Sequence, residues 1–122
     1  MTVVIAAING KGGAGKTTAL MNIAGEYALR GGRVAMIDMD ARNNLMKWWT
    51  DCQEKDAQPE GIEVYSHKTA RGFERWMEGN AATFDHVLID TPGEDTSLVD
   101  PVILAADLVI SPIQASKREV MG

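Results

Sequence analysis

The chain has 122 residues, 45% of them hydrophobic, and its 12 basic and 17 acidic side chains give a formal charge of −5. This size fits one domain with a buried core, and the acidic balance gives no indication of a surface that coats nucleic acid. The single cysteine, Cys52, excludes an internal disulfide and a cysteine-based metal site, and no apolar run approaches the roughly 18–20 residues of a membrane span.

Apolar, strand-like runs alternate with helix-like runs along the chain. We predict strands near 2–9, 33–38, 62–66, 85–90 and 107–113. We predict helices near 16–30, 43–56, 69–79 and 96–106. Strands that alternate with helices in this way indicate a parallel sheet with right-handed crossovers. The predicted fold class is therefore α/β, in one domain over 1–122.

A glycine-rich loop joins the first predicted strand to the first predicted helix. Gly10 to Thr17 fit the spacing G-x-x-x-x-G-K-[ST] of a phosphate-binding loop in that setting. Glycines let successive backbone N–H groups face one anion, and the helix N-terminus adds its partial positive charge. Lys16 would reach the outer phosphates, and the Thr17 hydroxyl would hold Mg²⁺. The residues predicted to bind the nucleotide are Gly10, Lys11, Gly12, Gly13, Ala14, Gly15, Lys16, Thr17 and Thr18.

Acidic residues end the second and the fourth predicted strands. The strand within 33–40 ends in Asp38 and Asp40, and the strand within 86–93 ends in Asp90 before a Pro-Gly turn. Functional side chains of open α/β sheets gather outside the carboxyl ends of the strands, so these acids should lie at the same edge as the phosphate loop. Asp90 would bind Mg²⁺ through water. A structural alternative is that the two acids of the second strand form a turn or cap the next helix.

Together these segments resemble a known family of nucleotide-binding proteins. K-G-G-x-G-K-T-T at 11–18 resembles the deviant Walker A motif of the ParA/MinD family of ATPases, and the segments at 38–40 and 90–93 are similar to its D-x-D and Walker B motifs. The resemblance implies a P-loop NTPase fold with a mostly parallel sheet of about five strands and helices on both faces. It also implies Mg²⁺-dependent hydrolysis of ATP by an ATP-dependent homodimer, in which Lys11 crosses the interface to the partner's phosphates.

The resemblance assigns roles residue by residue. Asp40 would position the attacking water, and Asp38 would support the network of Mg²⁺ and water. The residues predicted to act in catalysis are Lys11, Lys16 and Asp40. The residues predicted to hold Mg²⁺ are Thr17, Asp38 and Asp90. The family domain continues well past the strand at 107–113, so we expect the resemblance to cover about the N-terminal half of a family member and the sheet to be incomplete at its C-terminal edge.

The branch of the family bears on the biological role. Resemblance to ParA implies plasmid or chromosome partition through nonspecific DNA binding, and a stimulating partner protein. Because the sequence shows neither a membrane span nor a signal peptide, we expect no membrane contact and a cytoplasmic location. The segment 45–49 also looks like that of a ParA relative that assists T-DNA transfer, and Ala41, Arg42 and Asn43 depart from the expected D-x-D-P-Q-x-N continuation. An accessory ATPase of conjugative or T-DNA transfer is therefore an alternative. A nonhydrolysing nucleotide-binding module and, less favoured, a small-molecule kinase or synthetase are the other two.

Overall fold

The structure is a computed structural model, which describes residues 1–8, 14–92 and 96–111. The strands are β1 (Val3–Ala7), β2 (Val34–Asp38), β3 (Ile62–Ser66), β4 (His86–Asp90) and β5 (Leu108–Ile110). The helices are α1 (Ala14–Leu29), α2 (Asn44–Glu54), α3 (Ala70–Asn80), the short 3₁₀ turn η1 (Ala81–Thr83) and α4 (Thr96–Ala105). Each predicted strand and helix is present, which confirms the alternation, whereas η1 is an element that the sequence patterns did not predict.

The five strands form one sheet in the order β3-β2-β4-β1-β5, and every pairing is parallel. The chain first passes from β1 through β2 to β3 and then returns through β4 to β5. The direction of winding therefore reverses between the neighbouring strands β1 and β4. In sheets of this kind the loops diverge at the reversal and leave a crevice outside the carboxyl ends of the strands.

Helices cover both faces of the sheet, as predicted. On one face α1 contributes Leu20 and α2 contributes Leu45 to the core, and on the other face α3 contributes Phe73 and α4 contributes Val102. Burial on both faces explains why β2 is apolar along its length until its last residue and why every one of its residues is buried. None of the helices within the described ranges is long and apolar enough to cross a membrane.

Local signals end the helices where the sequence suggested. Gly31 follows α1 with φ of 87°, a left-handed conformation that glycine adopts without strain. Thr69 precedes α3, and its hydroxyl oxygen accepts a hydrogen bond from the N–H of Gly72 at 3.0 Å. These two signals account for the end of α1 and the start of α3.

The register aligns the carboxyl ends of the central strands. Asp90 at the end of β4 lies opposite Ala7 of β1 on one side and opposite Asp38 of β2 on the other. Ser66 at the end of β3 lies opposite Asp38 in turn. The sheet thus places the acids that end β2 and β4 next to each other, at the edge where α1 begins.

Candidate functional site

Lys16 is fully buried and lies at the centre of a charged cluster. It is the third residue of α1, and its Nζ lies 3.2 Å from Oδ2 of Asp40 and 3.0 Å from Oδ1 of Asp90. Its ammonium also donates a hydrogen bond to the carbonyl oxygen of Thr91. A buried ammonium is costly unless it is paired. The two strand-end carboxylates therefore hold Lys16 in the crevice between α1 and the sheet.

Asp90 is the acid at the end of β4, and it is fully buried. Its Oδ2 accepts a hydrogen bond from the Thr17 hydroxyl at 2.8 Å. Among the residues that the structure describes, its Oδ1 has no hydrogen-bond partner, and its 3.0 Å contact with Lys16 is an ion pair without directed hydrogen-bond geometry. Burial raises the pKa of Asp90, although Lys16 and Thr17 act to lower it. This oxygen is thus an acceptor with unused capacity beside a cation and a hydroxyl.

Asp40 is a buried acid two residues beyond β2 that contacts two cations. Besides Lys16, the Arg42 guanidinium donates to both carboxylate oxygens, from Nη2 to Oδ2 at 3.0 Å and from Nε to Oδ1 at 3.3 Å. The backbone N–H of Arg42 donates to Oδ1 at 3.0 Å. Burial raises the pKa of Asp40, but the hydrogen bonds from Arg42 and Lys16 outweigh burial and lower it to about 2. Asp40 is therefore a carboxylate at neutral pH.

Asp38 is the last residue of β2 and is fully buried. Its Oδ1 accepts hydrogen bonds from the N–H of Asp40 at 3.0 Å and from Lys68 Nζ at 3.2 Å, and its Oδ2 accepts one from the N–H of Met46 at 2.9 Å. Lys68 Nζ also donates to the carbonyl oxygens of Asp38 and Asp40, at 3.0 and 2.8 Å. Asp38 thus ties the end of β2 to α2 and to the residues after β3. Its role toward Mg²⁺ stays a prediction.

The residues that could hold a divalent cation are Thr17 and Asp90. A hydroxyl and a carboxylate supply the hard oxygen ligands that Mg²⁺ prefers, and the unpartnered Oδ1 of Asp90 fits such a role. In the described part of the chain no group of three or more His, Cys, Asp or Glu residues could hold a metal by itself. The site therefore suits an ion that completes its shell with phosphate oxygens and water, as Mg²⁺ usually does.

The structure brings together the predicted residues that it describes at the edge of β2 and β4. Lys16, Thr17, Asp38, Asp40 and Asp90 lie in this one cluster. The remaining described residues of the predicted loop lie at the start of α1: Ala14 begins the helix, and Gly15 and Thr18 are exposed. The predictions for Gly10, Lys11, Gly12 and Gly13 lie outside the described residues.

Two cations of the cluster were not predicted. Arg42 was noted only as a departure from the family motif, although a cation two residues from an acid in a turn is a local signal that sequence can offer. Lys68 is 30 residues from Asp38 in sequence, and its role depends on β3 lying next to β2. The signal for Lys68 was its place just after the carboxyl end of a strand, which gains meaning only once the strand order is known.

Comparisons with known proteins agree with the fold and identify the family. The model of the VirC1 protein family matches residues 1–120. VirC1 of Rhizobium rhizogenes is 31% identical over 111 residues, which cover 90% of this chain and 48% of that protein. A ParA protein of Rhizobium radiobacter is 31% identical over 114 residues, which cover 93% of this chain and 49% of that protein. The chain thus spans about half the length of the curated relatives it matches.

Solved structures share the fold at lower sequence identity. A plasmid partition protein from Borrelia burgdorferi superimposes with a TM-score of 0.78 at 19% identity, over 99% of this chain and 70% of that one. The pNOB8 ParA bound to nonspecific DNA gives 0.76 at 23%, over 99% and 56%. Cobyrinic acid a,c-diamide synthase from Mycobacterium smegmatis, solved with an ATP analogue and magnesium, gives 0.77 at 21%, over 99% and 63%. The α/β fold is therefore that of the ParA-type P-loop NTPases, and since the family model covers almost the whole sequence, the chain belongs to the VirC1 family.

Proposed function

We propose that this protein is a Mg²⁺-dependent ATPase of the ParA type, whose nucleotide state controls a homodimer that acts on DNA. The observation that carries the proposal is the buried ammonium of Lys16 at the start of α1, between the strand-end carboxylates Asp40 and Asp90. A terminal phosphate is an anion like the Asp40 carboxylate and carries more charge. It would replace Asp40 as the partner of Lys16 when nucleotide binds.

The residues of the cluster divide the work of phosphoryl transfer. Lys16 would neutralise charge on the outer phosphates, and Thr17 and Asp90 would hold the metal ion. When bound, Mg²⁺ neutralises the charge that develops on the phosphate oxygens. Asp40 would accept a hydrogen bond from a water molecule and orient its oxygen toward the terminal phosphorus, whose bond to the bridging oxygen breaks. Catalysis of this kind needs mainly positioning and electrostatic stabilisation.

Lys11 is proposed to act across the dimer interface. In the family that the motif resembles, this second lysine contacts the phosphates of the partner subunit, so hydrolysis is coupled to dimerisation. ATP would then set the lifetime of the dimer, and a partner protein would stimulate turnover. This proposal for Lys11 rests on the motif at 11–18 and on membership of the family.

DNA is the proposed macromolecular partner, and transfer of DNA is the favoured role. The pNOB8 ParA, which shares the fold, was solved on nonspecific DNA. Membership of the VirC1 family and the Arg42 departure from the ParA motif favour an accessory role in conjugative or T-DNA transfer. Plasmid or chromosome partition is the second candidate, favoured by the ParA relative from Rhizobium radiobacter.

Sedimentation with and without ATP and Mg²⁺ tests the proposal directly. The protein should shift from monomer to dimer with ATP and Mg²⁺. Lys11→Ala should abolish the shift while it keeps nucleotide binding, and Lys16→Ala should abolish both. Lys55→Ala is the matched control, because Lys55 forms an exposed pair with Asp51 on α2, and it should behave like the unmodified protein. Absence of nucleotide binding in the unmodified protein would refute the proposal.

Phosphate release separates the enzyme from its two rivals. Release without any acceptor substrate, increased by DNA, supports an ATPase over a small-molecule kinase or synthetase. Nucleotide binding without release, with and without DNA, favours a nonhydrolysing module. Asp40→Asn serves as the chemical control, since it should keep nucleotide binding and lose release.

A further inference from the structure

Besides its hydrogen bond from Lys16, the Asp40 carboxylate is held by donors of Arg42. The Arg42 guanidinium approaches its carboxylate side-on through Nη2 and Nε, and the Arg42 N–H adds a third hydrogen bond. The Asp40 side chain is 7% exposed and that of Arg42 is 49% exposed, so the guanidinium lies on the solvent side of the carboxylate. Paired Arg–carboxylate contacts of this form combine strength with a defined orientation.

Lys68 holds the main chain of the same turn. Its ammonium donates to the carbonyl oxygens of Asp38 and Asp40 and to Oδ1 of Asp38. The N–H of Asp40 donates to that same Oδ1. The backbone on which Asp40 stands is therefore fastened to β2 and to the residues after β3, independently of the contacts made by its carboxylate.

The contact between Lys16 and Asp40 differs from both of these. Lys16 makes one hydrogen bond to Asp40, at 3.2 Å, and divides its charge among Asp40, Asp90 and the carbonyl of Thr91. A nucleotide phosphate at Lys16 competes with this single bond. The bonds from Arg42 come from a residue two positions away along the chain, so the entry of a ligand does not by itself separate the pair.

We propose that Arg42 and Lys68 are positioning residues for Asp40, which hold its carboxylate and its main chain in place after Lys16 has moved to the nucleotide phosphate. The movement of Lys16 to the phosphate rests on the proposed function. The positioning of Asp40 by Arg42 and Lys68 rests only on contacts within this chain. Arg42 stands where the D-x-D-P-Q-x-N motif has glutamine, a neutral side chain that could not form this ion pair.

A comparison of turnover with nucleotide affinity tests the proposal, because a positioning residue acts on Asp40 and not on the nucleotide. With ATP and Mg²⁺, Arg42→Gln should lower kcat by about tenfold or more, while the dissociation constant of a nonhydrolysable ATP analogue stays within about twofold. In the free protein, a double-mutant cycle of Arg42→Gln and Asp40→Asn, followed by urea denaturation, measures the hold without any need for turnover. The double variant should lose less stability than the sum of the two single variants, because each single variant already breaks the pair.

Two further variants separate the roles of the cations. Arg42→Lys keeps the charge but loses the paired geometry, so it should restore little of the turnover. Lys68→Met should lower kcat but show no stability coupling to Asp40→Asn, because Lys68 contacts the main chain of Asp40 and the carboxylate of Asp38 but not the carboxylate of Asp40. In both, the affinity for the analogue should stay within about twofold, because neither residue is placed on the phosphates. Arg30→Gln, which removes a remote exposed arginine, is the matched control.

Distinct results would overturn the proposal or the function on which it rests. Stability losses of Arg42→Gln and Asp40→Asn that add fully would overturn the proposed hold. A parallel loss of nucleotide affinity in Arg42→Gln would also overturn it, because Arg42 would then contact the phosphate. If the unmodified protein binds no nucleotide, the proposed function fails, and the double-mutant cycle in the free protein still decides whether Arg42 holds Asp40.

Discussion

At the carboxyl end of β2 every carboxylate oxygen of Asp38 and Asp40 accepts a hydrogen bond, whereas at the neighbouring end of β4 one oxygen of Asp90 accepts none from residues 1–8, 14–92 and 96–111. Asp38 and Asp90 end adjacent strands in register, and Asp40 and Asp90 both contact Lys16. The surroundings of the two strand ends differ in the supply of donors. At the end of β2 the donors are backbone N–H groups, Arg42 of the turn and Lys68 after β3. At the end of β4 the described donor is the Thr17 hydroxyl of α1.

This difference suggests a structural role for the acids at the end of β2 and a ligand-binding role for the acid at the end of β4. Carboxylates whose oxygens are all satisfied fix the geometry of a turn, whereas a carboxylate oxygen with spare capacity can bind a metal ion or accept a hydrogen bond from a metal-bound water. The pKa values follow the same division, since hydrogen bonds lower that of Asp40 to about 2 while burial raises that of Asp90. Lys16 thus contacts Asp40, whose oxygens are all hydrogen-bonded, and Asp90, which keeps an acceptor oxygen that the described residues leave unused.

The largest effect is expected from removal of the lysine that both acids share. Lys16→Met keeps the length of the side chain but leaves Asp90 buried with a single hydroxyl donor, so the free energy of unfolding should fall by about 3–5 kcal/mol. Nucleotide binding should be lost as well. Urea denaturation at pH 7 and titration with a fluorescent ATP analogue measure the two results.

The double variant Lys16→Met/Asp90→Asn is the control for this prediction. It removes the unpaired buried charge, so it should recover much of the lost stability without any recovery of nucleotide binding. If the single and the double variant are equally unstable, charge compensation at Asp90 is not the cause and the comparison of the two strand ends fails.

Matched amide substitutions at the two strand ends sharpen the comparison. Asp38→Asn should lower the free energy of unfolding by about 2–3 kcal/mol, because the new amide NH₂ group would face another hydrogen-bond donor in either orientation. On one side that donor is the N–H of Met46, and on the other side the donors are the N–H of Asp40 and the ammonium of Lys68. Asp90→Asn should change it by less than about 1 kcal/mol, because the Thr17 hydroxyl can turn and accept.

Nucleotide binding should show the opposite order for the same two variants. Asp90→Asn should remove the Mg²⁺-dependent part of ATP affinity, measured as the ratio of dissociation constants with Mg²⁺ and with a chelator. Asp38→Asn should keep that ratio. Equal loss of the ratio in both variants would give Asp38 the metal role that its position in the sequence suggested.

Acid should weaken the β2 end through Asp40. Its pKa is lowered from 3.8 to about 2 in the folded protein, so its contribution is present above pH 4 and is lost as the pH falls toward 2. Linkage puts this contribution at about 2 kcal/mol. The pKa of Asp90 is raised, so its titration acts in the opposite direction. Urea denaturation between pH 5 and pH 2 should therefore show a smaller loss in Asp40→Asn than in the unmodified protein, and identical losses would contradict the assignment.

Much of the fold and part of the site were predictable because their determinants are local. The alternation of apolar strands and amphipathic helices predicts the parallel sheet, and the loop spacing predicts that Lys16 and Thr17 start a helix at its edge. The donors around Asp38 were not predictable in this way. Lys68 reaches it only because β3 lies beside β2, and alternation alone does not give the strand order. The turn η1 has three residues, too few to show any periodicity.

The smallest effect is expected far from the strand ends, and it gives a reference value for the coupling energy of the buried pair. Glu26 and Arg30 form a pair one turn apart on α1, 2.9 Å between Oε1 and Nη2, with side chains 57% and 72% exposed. A double-mutant cycle of Glu26→Gln and Arg30→Gln should give a coupling below about 0.5 kcal/mol, further reduced by salt. The same cycle of Lys16→Met and Asp90→Asn should give several times as much. Both pairs have ordinary ion-pair distances, so burial is the property that distinguishes them. Equal coupling energies would mean that water reaches the edge of β2 and β4. The difference between the acids at the two strand ends would then have another cause.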